Sequence, residues 1–284
     1  MKWTLGELLV KSSDYLKEKN CTRARRVAEE LMAHILELKR LDLYMQFDRP
    51  LTEDEVALLR ALLKRAAQGE PVEYIAGEVA FFHCAIRVTP DVLIPRPETE
   101  ILVDSAAKEI KKKFEGAQRV AWDICTGSGC IGISMKKACP ELAMVLVDLS
   151  EKALEVASKN AQLNGVEVEI VQGDLLAPLK GRKADVVFCN PPYISSKEYL
   201  TLHRSVKEFE PQMALVGGED GLEFYRRLNE ALPAHLAPGA KVYFEIGTGQ
   251  GRPLLELFSG QGWRGARVEK DWSGHDRFFF LEFE

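Results

Sequence analysis

Five short apolar runs rich in β-branched and aromatic residues recur through the later part of the chain: RVAWDIC (119–125), LAMVLVDLS (142–150), VEIVQGD (168–174), ADVVFCN (184–190) and AKVYFEIG (240–247). Helical stretches such as EKALEVASKNAQLNG (151–165) separate most of them. Strands apolar on both faces must be covered on both faces, and intervening helices supply the cover, so the pattern predicts a parallel, doubly wound sheet. The tail ARVEKDWSGHDRFFFLEFE (266–284) reads instead as two successive strands that would close the sheet as an antiparallel hairpin. The expected fold is α/β, with a mostly parallel, seven-stranded, Rossmann-like sheet ending in an antiparallel C-terminal strand.

The first ~70 residues carry helical signals and almost no strand signals. Thr4 with Glu7 and Thr52 with Glu55 match the S/T-x-x-E capping box, and Val56, Leu59, Leu62 and Leu63 follow at helical spacing. A small N-terminal helical bundle is expected over residues 1–75. Residues 76–95 then read as a linker in which EVAFFHCAIRV (78–88) forms a β-hairpin, and residues 96–284 as the α/β domain.

No segment approaches the ~20 continuous apolar residues needed to span a bilayer. The start, MKWTLGELLVKSSDYL, is broken by charge too early for a signal peptide, so a cytoplasmic protein with no membrane partner is expected. The six cysteines contain no C-x-x-C pair and the five histidines sit at no metal-ligand spacing, so no metal is expected. A net charge of −5 argues against tight, sequence-independent binding of nucleic acid, and the run Lys111, Lys112, Lys113 reads as a solvated helix face.

In open α/β sheets ligands bind beyond the carboxyl ends of the strands. The first such end is DICTGSGCIG (123–132), whose Gly127, Gly129 and Gly132 satisfy G-x-G-x-x-G, with Asp148 ending the next strand. Glycines let backbone approach a ligand, and the helix that follows presents free N–H groups to an anionic group. The pattern suits either a dinucleotide or S-adenosylmethionine; its bland alternative is a structural turn. Asp148 can accept both ribose hydroxyls, or cap the next helix, a task Ser150 could take instead. After the third strand, Asp174 can accept from an adenine amino group and Leu175 can flank the ring, or both can be ordinary turn and core.

The fourth strand ends in Asn190, Pro191, Pro192 and Tyr193. Prolines cannot continue a ladder. This arrangement resembles the class I methyltransferases that modify planar nitrogen atoms, marked by Asn or Asp followed by Pro-Pro and an aromatic residue. An amide nitrogen delocalises its lone pair and is a poor nucleophile, so it must be positioned. The Asn190 side-chain carbonyl and the Pro191 backbone carbonyl can hold the two N–H bonds of an –NH₂ group while Tyr193 covers its flat face. A dehydrogenase has no evident need of such a clamp.

Most of the chain resembles the release-factor glutamine N5-methyltransferases, the PrmC or HemK family. The segments that carry the resemblance are EYIAGEVAFF (73–82), LIPRPETE (93–100), DICTGSG (123–129), FCNPPYI (188–194), EFEPQMALVGGEDGLEFY (208–225) and FEIGTGQG (244–251). The resemblance implies methyl transfer from S-adenosyl-L-methionine, leaving S-adenosyl-L-homocysteine, to the glutamine of the Gly-Gly-Gln motif in class I peptide chain release factors. It implies that Asn190, Pro191, Pro192 and Tyr193 bind that glutamine. Cys125, Thr126, Gly127, Ser128, Gly129, Asp148, Asp174, Leu175 and Asn190 would hold the cofactor. The N-terminal helices would help hold the release factor, with no stable nucleic-acid partner and a monomeric enzyme. One departure stands out: Cys125 occupies the position of the family's first loop glycine, adding a Cβ beside the cofactor's methionine part. Arg96 either orients the helix start at Glu98 or reaches the substrate pocket. The alternatives are an N-methyltransferase of DNA or RNA bases, for which a basic recognition surface is wanting, and a non-catalytic cofactor-binding scaffold, which would not need paired acceptors.

Overall fold

The structure is a computed structural model that describes residues 3–113, 118–260 and 262–284. It divides into two compact units, one running to Glu78 and including His203–Phe209, the other comprising Val79–Leu202 and Glu210–Glu284.

The first unit holds α1 (Leu5–Glu18), α2 (Ala24–Leu36), α3 (Glu53–Ala67) and α4 (Val72–Ala76). Both expected capping boxes form: Thr4 and Thr52 accept from the backbone N–H of Glu7 and Glu55, whose carboxylates accept the return bonds. The apolar faces of these helices, with Leu9, Leu31, Leu59 and Leu63 among them, share one core. At ~1.5–3 kcal/mol per buried large side chain, this packing, rather than helix propensity, stabilises helices so short.

The second unit opens within β1 (Glu78–Phe81), which forms a two-stranded sheet with β2 (Cys84–Arg87). The turn between them places Phe82 and His83 at positive φ, 40° and 64°, the twist that suits a two-residue hairpin. Residues of this stretch are integral to the unit: Phe81, Cys84, Ile86, Val88, Val92 and Ile94 are all buried. Next come α5 (Pro97–Lys113), opened by a proline at its first position, then β3 (Arg119–Ile124), α6 (Cys130–Ala138), β4 (Leu142–Asp148) and α7 (Glu151–Leu163). Lys111, Lys112 and Lys113 lie exposed in the last turn of α5, where cations complement the helix dipole. Then follow β5 (Glu169–Gln172), β6 (Ala184–Cys189), β7 (Leu236–Glu245), β8 (Trp263–Lys270) and β9 (Asp276–Phe283).

The sheet order is β5-β4-β3-β6-β7-β9-β8, with β3 through β7 parallel and β9 antiparallel to both neighbours. Val186, Val187, Phe188 and Cys189 are consecutive and all 0% exposed, which requires cover on both faces. From β3 the chain moves outward through β4 and β5, then returns to add β6 on the other side. The direction of winding thus reverses between β3 and β6, and Ile124 pairs with both Val147 and Cys189. That reversal opens a crevice at the strand ends. β7 begins at Leu236, four residues ahead of the apolar run: Leu236 pairs with Ala184, the register shifts across Pro238 and Gly239, and pairing resumes between Lys241 and Val186.

Candidate active site

A cavity of about 330 Å³ lies over this crevice. Its wall includes Cys125, Thr126, Gly127 and Ser128 after β3, Asp148 at the end of β4, Asp174 and Leu175 after β5, and Asn190 and Pro192 after β6. Gly129, Pro191 and Tyr193 stand outside that wall.

The loop after β3 is built on Asp123, a wholly buried carboxylate whose Oδ2 accepts from Thr126 Oγ1 at 2.6 Å and from the Gly132 N–H at 2.9 Å. Its Oδ1 has no partner among the described residues. Burial pushes the acid up to about 7, against the pull of its Thr126 and Gly132 hydrogen bonds. The raised value means that its contribution to stability is complete below its unfolded pKa and is lost as pH rises through about 7.

The loop glycines divide by task. A Cβ at Gly132 would lie 2.3 Å from Leu146 Cδ2, so that glycine serves packing. At Gly127, with φ +55°, a Cβ would meet no protein atom within 4 Å, so that glycine serves backbone conformation and open space. Cys125 also adopts a left-handed φ, +57°, a conformation that costs a residue with a Cβ on the order of 1 kcal/mol.

Asp148 holds this loop from the next strand. Its Oδ2 accepts the Gly127 N–H at 2.8 Å and its Oδ1 the Ser150 N–H at 2.9 Å. Ser150 caps α7 through Ala153 at 3.2 Å, which releases Asp148 from capping. Burial raises the Asp148 pKa, and backbone N–H groups of Ser150, Gly127 and Leu149 pull it back. Each of its oxygens retains acceptor capacity. After β5, Leu175 takes a left-handed φ of 49° and is buried in the cavity wall. Asp174 is paired with Arg227, Nη2 to Oδ2 at 2.6 Å, so that an adenine amine would share this carboxylate with a cation.

At the end of β6, neither the Asn190 side chain nor the Pro191 carbonyl accepts a hydrogen bond from another described residue. The segment that follows is fastened on every side. Ile194 N–H donates to Leu215 O and Gly217 N–H to Ile194 O, each at 2.9 Å. A Cβ at Gly217 would lie 2.3 Å from Pro192 O, and one at Gly221 2.2 Å from Tyr193 O. Gln250 Nε2 donates to Tyr193 O at 3.0 Å, and the Tyr193 hydroxyl donates to Glu245 Oε1 at 3.3 Å. Burial raises both the Tyr193 phenol and the Glu245 acid.

Arg96 does two things at once. It lines the cavity and pairs with the buried Glu210, Nη2 to Oε1 at 2.5 Å, while the Ile94 N–H donates to the other oxygen at 3.2 Å. Two segments 114 residues apart are thereby locked together. Thr99, Glu210, Glu245 and Gln250 are the site residues that sequence reasoning missed. The available signal for Glu245 was a lone carboxylate inside the apolar run AKVYFEIG. No group of His, Cys, Asp or Glu among the described residues is arranged to hold a metal ion, and no described helix is long and apolar enough to cross a membrane.

Comparison with known proteins places this geometry. The family model described as the PrmC N-terminal domain matches residues 7–77, and the methyltransferase small domain matches residues 99–214. A release factor glutamine methyltransferase of Geobacter sulfurreducens is 38% identical over 97% of this chain and 95% of that protein. One of Bacillus cereus is 39% identical over 98% of this chain and 99% of its own. Among solved structures, a methyltransferase from Pyrococcus furiosus superposes with a TM-score of 0.53 at 22% identity, covering 82% of this chain and 98% of that one, which speaks to the fold alone. With relatives of this identity along nearly the whole length, the chain belongs to the release factor glutamine methyltransferase family.

Proposed function

We propose that this protein transfers a methyl group from S-adenosyl-L-methionine to the N5 amide nitrogen of the glutamine in the Gly-Gly-Gln motif of class I peptide chain release factors, in the cytoplasm. The cavity fits such a cofactor: backbone left bare at Gly127, an apolar wall at Leu175, and a carboxylate, Asp148, with acceptor capacity to spare at a strand end. Bound there, S-adenosylmethionine supplies an electrophilic methyl group and leaves as S-adenosylhomocysteine. Thr126, Gly127, Ser128 and Asp148 hold it, with Cys125 and Gly129 shaping the loop. Asp174 would accept the adenine amine while sharing its carboxylate with Arg227, which engages Oδ2.

The observation that carries the reading is the pair of unengaged acceptors at the end of β6. The Asn190 side-chain carbonyl and the Pro191 carbonyl accept the two N–H bonds of the substrate amide, whose lone pair is thereby aimed at the methyl group. Charge that builds on the nitrogen makes those two bonds stronger in the transition state than in the ground state. Pro192 keeps the turn rigid, and Tyr193 flanks the amide. No strong base is required, since the proton leaves during or after transfer. The helical unit contributes contacts to the release factor, and the enzyme works as a monomer. Incubation of wild-type protein with methyl-labelled S-adenosylmethionine and a release factor should label the Gly-Gly-Gln glutamine; label found only in DNA or RNA under matched conditions would sink the proposal.

A further inference from the structure

We propose that Glu245 is a positioning residue of this site: seated between Thr99 and Tyr193, its side chain fixes the tyrosine ring beside Asn190 and ties the substrate clamp to the wall of the cofactor cavity. The inference rests on the clamp described above. Glu245 ends β7 at 1% exposure, where a carboxylate without partners would be strongly destabilising. Its two oxygens are divided between two elements. Oε2 accepts from Thr99 Oγ1 at 2.5 Å, in the first turn of α5, and Oε1 accepts from the Tyr193 hydroxyl at 3.3 Å. Thr99 itself lines the cavity. Two hydrogen bonds therefore connect the cavity wall to the ring.

The strand end that carries the carboxylate is itself fixed, because the Tyr225 hydroxyl donates to the Glu245 backbone carbonyl at 2.7 Å. The ring's other end is held through its backbone by Gln250. Tyr193 is thus restrained both at its hydroxyl and at its main chain. The charged groups that act on Glu245 are Arg277 of β9 and Glu98 of α5, and Arg277 and Arg96 act on the phenol. Burial raises the Glu245 pKa, so the carboxylate is neutralised at a higher pH than an exposed glutamate would be. The neutral acid is the weaker acceptor, and the hold on Tyr193 loosens as pH falls.

The test compares Tyr193→Phe, Glu245→Ala, the double variant and Glu245→Gln at saturating cofactor. Tyr193→Phe and Glu245→Ala should each lower kcat about tenfold or more, the scale of a misplaced group, with the cofactor Kd within about twofold of wild type. The double variant should be no worse than either alone, the mark of one shared interaction. Glu245→Gln keeps an acceptor of the same reach and should recover to within about threefold, while losing the acid limb of the kcat profile. Additive losses, a loss confined to cofactor Kd, or a glutamine variant as poor as alanine would each overturn the proposal. Should Glu245→Ala not fold, the tyrosine ¹³Cζ resonance that Tyr193→Phe removes must still shift in Glu245→Gln; an unmoved resonance overturns the proposal without reference to turnover. Asn190→Ala run in parallel separates the two ideas: undiminished transfer there defeats the clamp, while the resonance still judges the hold of Glu245 on Tyr193.

Discussion

The loops after β3 and β6 lie side by side at one switch point and are built on opposite plans. After β3 the backbone is left bare, with left-handed φ at Cys125, Gly127 and Gly129 and open space where a Gly127 side chain would be. After β6 two prolines are followed by a tyrosine held at both ends, with Gly217 and Gly221 pressed against the main chain of Pro192 and Tyr193. The first loop leaves room at Gly127 for a ligand to approach its backbone. The second prevents two acceptors from moving. Under the proposed function, binding and chemistry fall to adjacent strands with contrasting backbones.

Removing the substrate-side amide should have the largest effect. Asn190→Ala should reduce transfer at least ~100-fold, the scale of losing one transition-state hydrogen-bonding group, with cofactor affinity measured by calorimetry near normal. A next step pits one glycine against the other. Gly221→Ala drives a Cβ to 2.2 Å from Tyr193 O at φ +77°, and should lose about 1–3 kcal/mol of stability by thermal unfolding together with kcat. Gly127→Ala meets no protein atom, so it should lose about 1 kcal/mol through its φ and show its effect in cofactor Kd rather than in kcat. The reverse assignment of kcat and Kd would abolish the contrast. The smallest effect is expected of Cys125→Gly, which relieves a left-handed residue but forfeits its packing on the core, for a net change within ~1 kcal/mol.

Local patterns in the sequence carried much of this architecture. Apolar runs located β3 to β6, the two capping boxes located α1 and α3, and the glycine and Asn-Pro-Pro-Tyr segments located the ends at which the cavity opens. The start of α2 was not legible, because Arg23 enters it in a left-handed conformation with no side-chain cap. Nor was the start of β7, where Pro238 and Gly239 fall in a register shift that separates Leu236 from the rest of the paired strand. The site divides along the same line. Residues at strand ends announce themselves by type, whereas Thr99 meets Glu245 across 146 positions and Arg227 meets Asp174 across 53, distances over which no periodicity carries information. Asp174 is instructive in this respect: a free acceptor in one dimension proves to be a paired one in three.

Asn160 has a further consequence. Wholly buried on α7, it accepts the Arg87 N–H at 2.7 Å and donates to Arg87 O at 3.0 Å, completing the edge of β2 as a neighbouring strand would. The same amide also donates to Ser128 O at 2.8 Å in the loop after β3. One side chain is therefore common to the hairpin and the loop, and its displacement would cost bonds to both. Hydrogen exchange should therefore show the Arg87 amide and the loop after β3 opening together, and the Asn160→Ala variant should uncouple them.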